Sequence, residues 1–255
     1  MRASIALSVA LILTAGQSAR AQSLASRVGQ MRDGTVSFSY ATLPDVCGDG
    51  ENNIQVGEHT HIRYNSRDRY RPCEYGPARI TLELSGGEVT RVRTAVGGTP
   101  RQVDRDLGRV RPAEAVSYLF GLARTSRGRA GEQAVFPITL ADSVDPWPEM
   151  LSLARSRDVA GKTRKSAIFW LGQEAGEVAT RGLSEIVDQD DEDREVKESA
   201  VFSLSQLPGD QGVPILIRVA KTNSDPRIRR SALFWLGQSD DPRALALFEE
   251  ILAGR

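Results

Sequence analysis

The sequence has few of the residues that most often carry enzyme chemistry. It contains two histidines and two cysteines among its 255 residues, and neither histidine begins a His-Glu metal-binding pair. A glycine-rich phosphate loop and a nucleophile elbow are also missing from the sequence. We therefore expect no catalytic residues, no bound metal and no cofactor, and the first hypothesis is a protein that is not an enzyme.

The chain also lacks net charge. Its 33 basic residues balance its 33 acidic residues, so no long-range field attracts it to nucleic acid or to an anionic lipid surface. After the first residues, no segment approaches the run of about 18 apolar residues that suggests a membrane-spanning helix. We expect no nucleic-acid partner and no membrane span.

One short apolar run lies at the start of the chain. Arg2 precedes apolar residues that continue to about Leu13, and the small residues Ala19 and Ala21 follow. A basic start, a short apolar core and small residues before a cleavage point are typical of a secretory signal peptide. The sequence therefore predicts a signal peptide over residues 1–21 and a periplasmic or secreted protein, and it leaves the oligomeric state open.

The two cysteines have two possible roles. Cys47 and Cys73 form an even count in a chain that we expect to be exported, which favours a disulfide. His59 and His61 each lie twelve residues from the nearer cysteine, so the four side chains also match the ligand types of a zinc site. A disulfide is the first prediction, and the metal site is the alternative.

The residues after the signal peptide show the alternation of β-strands. Apolar and polar residues alternate over 35–41 and again over 80–84, and Gly86-Gly87 then allows a tight turn into a returning strand. This pattern predicts a small antiparallel β domain over residues 22–98, cross-linked by the disulfide. Residues 99–111 are rich in glycine, proline and arginine without a period, and we interpret them as a linker.

A motif of eight residues occurs three times in the C-terminal half. The copies lie at 166–173, 199–206 and 231–238, with the sequences SAIFWLGQ, SAVFSLSQ and SALFWLGQ. A weaker copy lies at 133–139, and a helical pattern opens at Pro112. The offsets between the three copies are 33 and 32 residues. Self-similarity at this period predicts stacked helical units, none of which buries its apolar face alone.

The last unit shows the clearest family pattern. Residues 225–232 have the sequence Asp-Pro-Arg-Ile-Arg-Arg-Ser-Ala, and Leu236-Gly237 follow. This pattern resembles the HEAT repeat family, in particular its short, phycobilisome-lyase-like repeats. The resemblance implies antiparallel helix pairs stacked into a curved solenoid over residues 112–255, with the motif helices on its concave side. The expected fold class is therefore α+β: a small antiparallel β domain followed by an all-α, HEAT-like solenoid.

Recurring side chains of the motif are candidates for partner binding. Each copy places a phenylalanine on a different helix face from the core alanine, and a glutamine follows one turn later. Basic residues edge this Phe/Gln stripe. The candidates are Phe169, Phe202, Phe234, Gln173, Gln206, Gln238, Arg164 and Arg229. The alternative is that the phenylalanines are buried between helices, and the adjacent Trp170 and Trp235 are expected to fill core space.

Two functional hypotheses follow. The first is an exported, non-catalytic adaptor or scaffold that binds a protein or peptide in the cell envelope through its HEAT-like helices. The second is an envelope enzyme or metal-binding protein that uses His59 and His61. Resemblance in fold does not decide between them, because function depends on the site and not on the fold.

Overall fold

A computed structural model describes residues 22–51, 53–57, 60–62, 73–173 and 177–254. The predicted signal peptide and His59 lie outside these residues. Described elements up to residue 111 are the helix α1 (Leu24–Val28) and the strands β1 (Gly34–Tyr40), β2 (Val46–Gly48), β3 (Ile54–Val56), β4 (Thr60–Ile62), β5 (Glu74–Tyr75), β6 (Ala78–Ser85), β7 (Glu88–Ala95) and β8 (Arg105–Arg109). They form two four-stranded sheets, with strand orders β7-β6-β1-β8 and β4-β3-β2-β5.

The first sheet follows from the alternating pattern of its central strands. Val36, Phe38 and Tyr40 of β1 are fully buried, and the residues between them are partly exposed. β6 and β7 form the predicted antiparallel hairpin. Gly86 and Gly87 both have positive φ, at 63° and 89°, a region that favours glycine and suits a tight hairpin turn.

The predicted linker contains a strand. β8 lies within residues 99–111 and pairs in parallel with β1, so the first sheet is antiparallel except at this edge. The sequence does not show β8 because it is a polar edge strand in which no residue is fully buried. The second sheet is antiparallel throughout.

Helices make up most of the chain after residue 111. They are α2 (Pro112–Thr125), α3 (Arg129–Gln133), α4 (Val135–Ile138), α5 (Trp147–Arg155), α6 (Gly161–Gly172), α7 (Glu177–Asp188), α8 (Arg194–Ser205), α9 (Val213–Thr222), α10 (Pro226–Leu236) and α11 (Pro242–Leu252), with a 3₁₀ turn at Pro208–Asp210. In the described residues, no helix is long and apolar enough to cross a bilayer.

The three motif copies form α6, α8 and α10. Each packs against the helix before it, and α6 contacts α8, which contacts α10. On the other side, α5 contacts α7, and α9 contacts α11. The helices therefore form two layers, and the motif helices α6, α8 and α10 share one of them. The weak upstream copy begins at the last residue of α3 and continues through the short helix α4, where Pro137 has no N–H for a continuous helix.

The first sheet and the helices share one core. Buried apolar residues form a single cluster from Leu24 to Leu247. Phe38 of β1 meets Tyr118 of α2 edge-to-face, with ring centroids 5.9 Å apart. The buried hydroxyl of Tyr40 donates a hydrogen bond to the carbonyl oxygen of Pro137, and burial raises the pKa of Tyr40 well above its usual range. The sheet is thereby fixed against the start of the helical layers.

Candidate functional site

Six aromatic side chains lie along the motif-helix layer, and we call them the aromatic row. They are Phe136, Phe169, Trp170, Phe202, Phe234 and Trp235. In this row, a phenylalanine of one unit contacts a tryptophan of the next unit. The repeat period produces this arrangement, because equivalent positions of stacked units become neighbours in space.

The row consists of two ring clusters. In the first, Trp170 stacks on Phe136 with ring centroids 4.8 Å apart, and Phe169 meets Trp170 edge-to-face at 5.1 Å. In the second, centroid distances are 4.9 Å between Phe202 and Trp235 and 5.0 Å between Phe234 and Trp235. These distances are typical of favourable aromatic pairs, so the rings hold one another in place.

The rings differ in exposure. Trp170, Trp235 and Phe202 are half-buried and pack partly against the core. Phe169 and Phe234 are 41% and 58% exposed. The tryptophans therefore contribute to the core as expected, whereas two of the three candidate phenylalanines present an apolar ring to solvent. Partner binding by these rings stays a prediction.

Ser203 separates the two clusters. It occupies the position of Trp170 and Trp235 in the middle copy, and it is buried. A Cβ added at Gly172 would lie 2.6 Å from the Cβ of Ser203, so α6 and α8 approach too closely there for a large side chain. The close approach of these two helices explains why the middle unit has serine in place of tryptophan.

The three candidate glutamines are exposed. Gln173 and Gln206 cap the C-terminal ends of α6 and α8, and Gln238 follows the end of α10. Gln206 donates a hydrogen bond to the hydroxyl of Ser205 at 3.1 Å. The glutamines are thus accessible at the helix ends, about one turn beyond the phenylalanines.

Arg164 does not lie on an accessible surface, so its predicted role at the edge of the stripe is wrong. Its guanidinium makes two hydrogen bonds to the carboxylate of Glu192, one of them 3.0 Å long, and its Nε donates to the carbonyl oxygen of Ala154 at 2.8 Å. The Arg164 and Glu192 side chains are 5% and 1% exposed. Burial by itself raises the pKa of Glu192. The hydrogen bonds from Arg164 and from the backbone N–H of Asp193 together lower it by more, so the pKa of Glu192 lies below its ordinary value.

Arg229 is half-buried and supports the turn before α10. Its Nη1 donates to the carbonyl oxygens of Asn223 and Ser224, at 2.8 and 3.1 Å. Asn223 in turn donates to the carbonyl oxygen of Val187 at 3.4 Å and so contacts the preceding unit. The spacing of six residues between Asn223 and Arg229 therefore reflects a contact within the turn.

The disulfide prediction is confirmed. Cys47 and Cys73 are bonded to each other, with a Cα–Cα distance of 5.4 Å. Neither cysteine is then available as a thiolate ligand, which removes two members of the alternative metal set. The backbone of His61 pairs with Gln55 in the second sheet, but its side chain and the whole of His59 lie outside the described part of the chain. In that part, no group of three or more His, Cys, Asp or Glu residues is placed to hold a metal ion.

A cleft adjoins the first ring cluster. It has a volume of about 1280 Å³ and lies between the polar face of the first sheet and helices α3, α4 and α6. Its charged lining residues are Arg79, Arg93, Arg101, Arg129, Lys162, Glu51, Asp106 and Glu132, and its aromatic wall is Phe136, Phe169 and Trp170. The sequence gives no sign of this cleft because its walls come from segments far apart in the chain.

The helices that carry the second ring cluster have a recognisable family pattern. Residues 180–254 match the HEAT repeat family. The HEAT match covers most of α7 and all of α8 to α11, and it includes none of the strands. It also includes Phe202, Phe234 and Trp235, so half of the aromatic row lies on helices within this match. No curated protein matches the chain.

Proposed function

We propose that the chain is an exported, non-catalytic adaptor that binds a protein or peptide partner in the cell envelope through the aromatic row. HEAT repeats stack into extended surfaces that bind other proteins. The HEAT match supports this role, and the exposure of Phe169 and Phe234 is the observation that carries it. We further propose that the helix layers form a curved solenoid of short, phycobilisome-lyase-like repeats, with α6, α8 and α10 on the concave side.

The exposed rings supply binding energy that the free protein does not use. Phe234 leaves more than half of its side chain in solvent, on the order of 100 Å² of apolar area. Burying this area under a partner contributes about 2.5 kcal/mol. Trp235 fixes the orientation of the Phe234 ring, so little conformational entropy is lost when a partner contacts it.

Export is supported by the first residues, which have the charge, length and small residues of a signal peptide. The disulfide agrees with this proposal, because disulfides persist mainly in oxidising compartments. The mass of the purified protein tests it: cleavage predicts an N-terminus at Gln22, and a chain that still begins with Met1 in the cytoplasmic fraction contradicts export.

A capture experiment tests the adaptor role. The full chain, tagged at its C-terminus, is cross-linked in cells and purified with its partner, in parallel with the double variant Phe169→Ala/Phe234→Ala. We expect the variant to recover at least about tenfold less partner, because aromatic anchors dominate protein interfaces. The matched control is Leu245→Ala/Leu252→Ala, which removes two exposed apolar side chains of α11 outside the row.

The outcome depends on comparing the two double variants. Circular dichroism first confirms that both fold as the unmodified chain does. Recovery that falls only for the phenylalanine variant supports the row as the contact surface. Equal recovery from both variants, at the level of the unmodified chain, shows that the partner does not bind at these rings.

A further inference from the structure

The floor of the cleft is the polar face of the first sheet. The opposite face carries the buried Val36, Phe38 and Tyr40, and the alternation of side chains along β1 therefore directs Ser37 and Ser39 into the cleft. In the register of the sheet, Ser37 lies beside Thr81 and Arg93, and Ser39 lies beside Arg79, so β6 and β7 continue this face with Arg79, Thr81 and Arg93. The Ser37 hydroxyl already donates to a carboxylate oxygen of Asp106 at 2.9 Å. The floor thus offers the hydroxyls of Ser39 and Thr81 and guanidinium groups, which donate hydrogen bonds to carbonyl and carboxylate oxygens.

The opposite wall combines a cation with aromatic rings. Lys162, Ser166, Phe169 and Trp170 line the cleft from α6, and their spacing of three and four residues places them on one helix face. Phe136 stacks on Trp170 and extends the apolar surface. A ligand in the cleft therefore meets polar groups on one side and the first ring cluster on the other.

Positive charge prevails in the cleft. Five basic and three acidic side chains line it, although the chain as a whole has no net charge. Arg93 pairs with Glu83 at 2.8 Å, and Arg101 approaches Glu51 at 4.0 Å. Arg79 donates to a backbone carbonyl oxygen.

Two of the basic side chains are available to a ligand. Arg129 and Lys162 are exposed, and neither forms an ion pair with any residue that the structure describes. They lie on α3 and α6, on the helical side of the cleft. A ligand that carries carboxylates would therefore find two uncompensated cations there.

The size of the cleft favours a chain segment over a small molecule. Its volume of about 1280 Å³ exceeds the roughly 300–1,000 Å³ of pockets for small ligands. A segment cannot extend the sheet at Val92 of the edge strand β7, because the backbone N–H of Val92 already donates to the side-chain oxygen of Gln133 at 3.0 Å. A bound segment therefore lies across the face of the sheet.

We propose that the cleft binds an acidic peptide segment of the partner that also carries an aromatic or large aliphatic residue. Its carboxylates pair with Arg129 and Lys162, its apolar side chain packs on Phe169 and Trp170, and its backbone accepts hydrogen bonds from the sheet hydroxyls. This inference rests on the proposed function, because the segment is taken to belong to the adaptor's partner. It adds that the partner carries an acidic segment with an apolar residue.

Calorimetric titration of the full chain with defined peptides tests the proposal. The probe is a short synthetic peptide in which aspartates alternate with phenylalanine and leucine, and the comparison peptides replace each aspartate with asparagine or with lysine. We expect the acidic peptide to bind at least about tenfold more tightly than either comparison peptide. Its affinity should fall as salt rises from roughly 50 to 500 mM, since screening weakens exposed charge pairs.

A pair of double variants locates the site. Arg129→Gln/Lys162→Gln removes the two free cations, and we expect it to weaken binding of the acidic peptide by about tenfold. The control Arg32→Gln/Arg111→Gln removes the same charge from exposed arginines that do not line the cleft, and it should bind as the unmodified chain does. An equal loss in both variants overturns the assignment to the cleft.

The peptide titration and the capture experiment fail independently. If none of the peptides binds with a dissociation constant below about 1 mM, or if all three bind equally, the cleft does not select acidic segments. That result does not affect the adaptor role, which the capture experiment tests separately. Conversely, if the unmodified chain captures no partner in cells but still binds the acidic peptide, the adaptor role is refuted and the assignment of peptide binding to the cleft is supported.

Discussion

Substitution of Glu192 by glutamine should destabilise the helical layers. Glu192 lies in the turn before α8, and its carboxylate receives both terminal nitrogens of the Arg164 guanidinium from α6. Arg164 also donates to the last turn of α5 through Ala154. One buried pair therefore joins two successive units at the end of the layer that carries Phe169 and Phe202.

The magnitude follows from the burial of both side chains. Glu192→Gln keeps the shape of the side chain but leaves the Arg164 cation, whose side chain is only 5% exposed, without its counter-charge. Breaking a buried pair from one side costs about 3–5 kcal/mol. Glutamine retains one acceptor oxygen, so we expect about 3 kcal/mol, a decrease of roughly 6–12 °C in melting temperature for a chain of this length.

A matched variant separates burial from charge. Lys165 pairs with Glu195 at 2.6 Å, and the Glu195 side chain is 74% exposed. Glu195→Gln therefore removes the same charge from the same region, and we expect it to change the free energy of unfolding much less than Glu192→Gln does, because solvent screens an exposed ion pair. Urea unfolding followed by circular dichroism measures both variants. Equal small losses for the two variants would show that the Arg164–Glu192 pair does not stabilise the packing of the units.

The effect of Glu192→Gln should depend on pH. The pKa of Glu192 in the folded protein lies below its ordinary value of 4.5. A carboxylate with a depressed folded-state pKa contributes stability above the unfolded-state value, and this contribution is lost as the pH falls through the folded-state value. The difference in unfolding free energy between the unmodified chain and Glu192→Gln should be full at pH 7 and should shrink below about pH 4.5. A difference that does not change with pH contradicts an ionic role for Glu192.

Three further variants test the packing beside the aromatic row and the contact between the first sheet and the helices. Gly172→Ala should lower the free energy of unfolding by about 1–3 kcal/mol, because the added Cβ would lie 2.6 Å from the Cβ of Ser203. The control is Gly121→Ala in α2. A Cβ at Gly121 meets open space, so this variant should not lower the free energy of unfolding. Tyr40→Phe should cost about 1 kcal/mol in urea unfolding, since it removes the hydrogen bond from the buried Tyr40 hydroxyl to the carbonyl oxygen of Pro137, which retains the backbone N–H of Leu140 at 3.3 Å. An unchanged midpoint would show that the Tyr40 hydrogen bond does not stabilise the contact between sheet and helices.

The sequence predicts the motif helices well because repetition adds independent copies of one signal. Ala167, Ala200 and Ala232 are fully buried in α6, α8 and α10, as their shared position in the motif indicates. A small residue in the same place of each unit is what close contact between neighbouring helices requires. The HEAT match over residues 180–254 includes two of the three motif copies.

Residues whose role depends on a distant segment were harder to predict. Arg164 occupies the motif position of Arg229, yet it is buried because Glu192 lies within reach. β8 has no alternating apolar pattern, and its strand structure depends on pairing with β1, which is distant in the sequence. The sequence therefore does not reveal this strand. The cleft was missed for the same reason, since Arg79 and Lys162 become neighbours only after the sheet has packed on the helices.

Departures from the repeat, more than the repeat itself, determine what this surface can bind. Ser203 stands in the tryptophan position where α6 and α8 are in close contact at Gly172, and it divides the aromatic row into two clusters. Pro137 prevents a continuous helix in the first unit, and the short helix α4 that results presents Phe136 to Trp170 at the wall of the cleft. The first cluster therefore has charged neighbours, whereas the second lies on helices that match the HEAT repeat family. The partner that we propose would therefore place an acidic segment at the first cluster and an apolar surface at the second.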